Sequence, residues 1–78
     1  MKAQEVPISG TVLSNDEGTP LAGVTVAIVG KGHGTATDDK GKFTITARPG
    51  AVLEFSYVGF SSQRIKAAAG MEVRMSKE

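Results

Sequence analysis

The chain has 78 residues, no cysteine, and nine Lys and Arg against eight Asp and Glu, for a formal net charge of +1. That makes one small domain, held by packed aliphatics and well-formed turns, because disulfides and thiolate metal sites are excluded. Neither sign of charge forms a block, so a nucleic-acid surface is not indicated. No apolar run approaches the roughly 18–20 residues that a membrane helix needs, so direct membrane insertion is not expected.

Met1-Lys2-Ala3-Gln4-Glu5 lacks the apolar stretch of a signal peptide. Residues 1–5 therefore read as a disordered or artificially added N-terminus, ahead of a single domain over residues 6–76 and a tail at 77–78. Beyond this start the chain shows short runs of Val, Ile, Thr and Phe divided by Gly, Pro, Asn and Asp, which is the pattern of an all-β fold. Val6, Ile8 and Val12 share one parity and Ser9 and Thr11 the other, which predicts a half-buried strand. Pro7 has no amide proton, so the start of that strand is expected at a sheet edge.

Asn15 to Pro20 forms a turn or short loop, with Gly18 free to take a positive φ. Val24 to Val29 is apolar at both parities apart from Thr25, and reads as a central strand covered on both faces, or as one whose outer face meets a neighbour. After the glycine-rich loop around Lys31-Gly32-His33, Thr35-Ala36-Thr37 reads as a short strand. Asp38-Asp39-Lys40-Gly41 is the sharpest local signal. An opening Asp and a closing Gly suit a type I turn ended by a left-handed glycine, joining two antiparallel strands.

Phe43 and Ile45 then alternate with Lys42, Thr44 and Thr46, and Pro49-Gly50 marks the next turn. Leu53, Phe55 and Tyr57 alternate with Val52, Glu54 and Ser56. The parity of Phe60 differs from that of Ile65, which predicts a bulge between them. Ala67-Ala68-Ala69-Gly70 is too short to hold a helix and reads as a turn. Met71, Val73 and Met75 close the chain as a last strand. Six or seven strands with a turn every ten or so residues make a sandwich.

The chemistry-bearing residues are few. His33 is the only histidine, and two flanking glycines give its imidazole nothing rigid to work against, so neither nucleophilic catalysis nor zinc is supported. Asp38-Asp39 and Asn15-Asp16-Glu17 lack the ligand spacing of a calcium loop and are explained as turn formers. Gly30, Gly32 and Gly34 lack the Lys and the helix that a phosphate loop requires. No cofactor is implied. Tyr57 and Phe60 flank Gly59, and with His33 they are the candidate interaction surface; the Tyr57 hydroxyl is expected to tie down a nearby backbone group.

Four stretches in order carry a family resemblance: Ile8 to Val12, Gly18 to Val26, Gly34 to Phe43, and Leu53 to Phe60. Together they resemble the carboxypeptidase-regulatory-like domain. The version most similar is the one preceding the plug in TonB-dependent outer-membrane transporters of the SusC/RagA type. The resemblance implies a small antiparallel, seven-stranded, Greek-key-like β-sandwich of transthyretin type on the periplasmic side of the outer membrane. It implies a non-catalytic accessory domain of a glycan or peptide transporter, whose partners are the plug and barrel, a partner lipoprotein or the TonB apparatus.

The family's glycines match at Gly10, Gly23, Gly34, Gly41 and Gly59, and with Asp38 these are expected to fix turns and bulges. The Lys31-Gly32-His33 loop departs from the family pattern, and the TonB-contacting box is not within this sequence. Two alternatives remain open on the residues: a sandwich appended to a secreted metallocarboxypeptidase, and a carbohydrate-binding module using Tyr57, Phe60 and His33. Open sandwich edges also carry a hazard of self-association.

Overall fold

Alternation of inward apolar and outward polar residues produces seven strands. They are β1 (Val6–Ser14), β2 (Thr25–Ile28), β3 (Gly34–Ala36), β4 (Lys42–Ala47), β5 (Val52–Ser56), β6 (Gln63–Lys66) and β7 (Met71–Met75). The computed structural model describes residues 5–31, 34–48 and 50–78. One sheet has the order β4-β1-β7 and the other β3-β2-β5-β6. The two inner faces meet in one core of Ile8, Val12, Val24, Val26, Ile28, Phe43, Ile45, Ala47, Leu53, Phe55, Val73 and Met75. At its centre the Phe43 ring of one sheet meets the Phe55 ring of the other edge-on, with centroids 5.4 Å apart and planes at 69°, the arrangement that the ring quadrupole favours.

The all-β sandwich is as the sequence predicts, with one difference in pairing. β1 and β7 run parallel, with Gly10 opposite Met71 and Ser14 opposite Met75, while the other pairs are antiparallel. A parallel pair needs a long crossover, and here the whole second sheet lies between the two strands in sequence.

Four local expectations are corrected. The run from Val24 to Val29 is central, but only one of its faces is covered: Val26 and Ile28 are buried while Thr25 and Val29 are exposed. Val6 is also exposed, although Ala47, its partner across the β1–β4 pair, is buried. The turn after Thr37 links β3 to β4, which lie in different sheets, so it is a sheet-crossing corner and not a hairpin. Between Phe60 and Ile65 there is a break in place of a bulge. Phe60 leaves β5's sheet to bridge Lys77, and β6 starts afresh at Gln63.

Pro7 sits as expected. It faces Thr46 in β4, and β7 pairs only with Gly10 to Ser14, leaving the other side of β1's start open. Backbone groups alternate in direction along a strand. Ser9 accepts from Gly70 on the β7 side, so the nitrogen of Pro7, two residues earlier, also faces that open side.

Candidate interaction surfaces

The corner after β3 is set by two residues. The Asp38 N–H donates to the Lys42 carbonyl and the Gly41 N–H to the Asp38 carbonyl, both at 2.9 Å. Asp38 Oδ1 accepts from the N–H groups of Lys40 and Lys42, also at 2.9 Å. The bonds from Lys42 and then Lys40 hold the Asp38 carboxyl below its ordinary pKa of 3.8, because both favour the ionised form. Gly41 has a φ of +75°, and a Cβ there would lie 2.6 Å from the Val12 carbonyl oxygen, so only glycine fits.

Thr37, just before this corner, was expected only as a strand residue. Its hydroxyl accepts from the Val24 N–H at 3.0 Å and donates to the Leu21 carbonyl at 2.6 Å. Its own N–H and carbonyl bond Val24 and Gly23 at 3.0 Å each. One buried side chain thus fastens the segment that enters β2 against the end of β3. A lone Thr carries no signal for this in sequence, because the partners lie 13 and 16 residues away.

Gly10 occupies the middle of β1 opposite Phe43 and Met71. A Cβ there would meet the Met71 carbonyl at 2.6 Å and the Phe43 ring at 2.9 Å. Gly34 lies opposite Ala27 in β3. Gly23 borders the Tyr57 ring, and Gly59 is in the turn after β5. These positions shape the chain and line no common cleft.

Tyr57, Val58, Gly59 and Phe60 form a turn closed by the Phe60 N–H donating to the Tyr57 carbonyl at 3.1 Å. The positive φ of Gly59 at its third position suits a type II turn. The Tyr57 and Phe60 rings are half-buried against the core, 5.5 Å apart and tilted by 43°. Packing holds Tyr57; among the described residues its hydroxyl makes no backbone tie. Val58, between them, is 87% exposed. His33, the third residue of the expected interaction surface, lies outside the described residues.

The turn is fastened to the end of the chain. The Glu78 N–H donates to the Gly59 carbonyl at 3.0 Å, and the Ser61 N–H to the Ser76 carbonyl at 2.9 Å. Gln63 Nε2 donates to the Arg74 carbonyl at 2.6 Å, covering part of the free edge of β7. The surface depression beside this turn, about 390 Å³ between Gly23, Thr25, Ser56, Tyr57 and Val58, is open and gathers no acid–base pair.

A two-sheet sandwich whose Asp38, Thr37 and Gln63 side chains fasten its turns and strand ends belongs to the class of small β modules. The family model described as the CarboxypepD_reg-like domain matches residues 8–77. The chain belongs to that family. It is 41% identical over 70 residues to TonB-dependent receptor P3 of Formosa agariphila, covering 88% of this chain and 7% of that protein. It is 32% identical over 71 residues to TonB-dependent receptor SusC of Bacteroides thetaiotaomicron, covering 91% and 7%. The chain thus spans a small fraction of the curated relatives it matches. Among solved structures, a chain from a type II cohesin-X-dockerin complex of Acetivibrio cellulolyticus superposes with a TM-score of 0.70 at 22% identity, covering 90% of this chain and 56% of the other. That likeness is one of fold.

Proposed function

We propose that this chain is a non-catalytic accessory domain of a SusC/RagA-like TonB-dependent transporter for glycans or peptides. In this reading it sits on the periplasmic side of the outer membrane and works by docking to the plug and barrel, a partner lipoprotein or the TonB apparatus. The observation that carries the reading is the match of nearly the whole chain to TonB-dependent receptors at 32–41% identity.

The residues agree with a binding role. Asp38, Thr37 and Gln63 bond backbone groups of the chain itself. None of them is aimed at a cavity that could hold a reacting molecule.

The test is removal of residues 6–76 from a full-length receptor that carries them, followed by uptake, outer-membrane abundance and partner co-purification. A fall in uptake or partner recovery at normal abundance supports the role. Unchanged uptake, assembly and partner recovery together overturn it.

A further inference from the structure

Four strands present free edges, and three of them are protected against pairing. β3 has three residues. In β6 the outward backbone groups belong to Arg64 and Lys66, since Ala67 bonds inward to Ala51, and cationic edge residues resist strand addition. In β7 the outward positions are the charged, exposed Glu72 and Arg74, since Met75 bonds Asn15 on the β1 side, and Gln63 takes the Arg74 carbonyl. The open start of β1 carries Pro7.

β4 differs. Gly41 bonds Val12 of β1, so by alternation Phe43, Ile45 and Ala47 face β1, and Lys42, Thr44 and Thr46 face outward. Asp38 caps Lys42. Among the described residues, the N–H and carbonyl groups of Thr44 and Thr46 have no partner on that side. Both residues are β-branched and suited to an extended neighbour. Lys42 and Arg48 stand exposed at the two ends of this open stretch, about 20 Å apart at strand rise.

We infer that the outer edge of β4 is a strand-addition site for an extended peptide segment of a partner protein, with acidic side chains at both ends of that segment. Backbone bonds to Thr44 and Thr46 would supply the pairing, and Lys42 and Arg48 the charge complement. A second copy of this chain fits less well. Antiparallel β4–β4 pairing centred on Ile45 sets Lys42 against Arg48 of the other copy, and like charges directly opposite are unfavourable. The site refines the docking role proposed above and rests on that reading only for the origin of the peptide.

The test is an NMR titration of the whole chain with the synthetic peptide Glu-Val-Thr-Val-Thr-Val-Glu. The site predicts amide shifts and slowed hydrogen exchange at Thr44 and Thr46. Thr44→Pro, which removes an outward N–H, should abolish them. Lys42→Glu with Arg48→Glu should weaken binding by about tenfold or more and favour a Lys-flanked peptide; this pair keeps the test valid where the proline variant does not fold. No shift up to about 1 mM peptide, or shifts confined to β6 or β7, would overturn the site. Concentration-dependent dimerisation protecting Thr44 and Thr46 would replace the partner with a second copy. A bound peptide alongside a receptor indifferent to deletion of this domain would remove the transporter role and leave the site.

Discussion

Thr37 holds Val24 by both backbone and side chain: the Thr37 hydroxyl accepts the Val24 N–H at 3.0 Å while the Thr37 N–H donates to the Val24 carbonyl at 3.0 Å. Val24 is fully buried and Thr37 nearly so, so water cannot replace either bond. Replacing Thr37 with Val keeps the shape and strands the Val24 N–H and the Leu21 carbonyl. The expected loss is about 1–3 kcal/mol, with Thr37→Ser retaining most of the stability. Urea denaturation of the three proteins checks this ordering.

Gly10 predicts a steric loss. In Gly10→Ala the new methyl meets the Met71 carbonyl, which belongs to the β1–β7 pair and cannot turn aside. Forcing it in costs about 1–3 kcal/mol or more. Thermal melts should show a clear fall in Tm, with loss of exchange protection along β7 before β5.

The Phe43–Phe55 contact joins the two sheets. Phe55 is fully buried, and Phe55→Ala is expected to cost about 3–5 kcal/mol through the cavity it leaves. A domain of this size has only about 4–12 kcal/mol in total. Circular dichroism and amide dispersion should therefore report a largely unfolded or strongly destabilised chain.

Asp38 gives a pH dependence with a defined sign. Its folded pKa lies below the ordinary 3.8 because Lys42 and Lys40 N–H groups bond the carboxylate. Its contribution is therefore complete above that ordinary, unfolded-state pKa and is lost as pH falls through the lower folded value. The Tm difference between the native chain and Asp38→Asn should be constant from neutral pH down to about 5 and shrink below about 4. A difference that persists unchanged into strong acid would remove the carboxylate from this role.

Much of the fold is legible in the sequence because alternation is clean. Phe43, Ile45 and Ala47 against Lys42, Thr44 and Thr46 give β4 its inward and outward faces directly, and Pro7 marks the open side of β1. Parity cannot say which sheet a strand joins. The corner at Asp38 to Gly41 reads like a hairpin, because a turn and two flanking strands look alike whether they stay in one sheet or cross to the next. The break after Phe60 imitates a bulge for the same reason.

Interaction surfaces were less legible. Tyr57 and Phe60 stand out as aromatics but pack half-buried against the core, while the open edge of β4 involves backbone groups that every residue possesses. Thr44 and Thr46 become distinctive only when the pairing of every other edge is known. Gln63 likewise gains its role only from the position of the Arg74 carbonyl across the sandwich.

The most direct test of the central claim is to sequence the reading frame that contains this segment at its source locus. The transporter account predicts a TonB-contacting box, a plug and a long series of alternating barrel strands after Glu78. A zinc peptidase domain ahead of Met1, or a frame that closes at Glu78, would contradict it and make the module an enzyme appendage or a free binding protein.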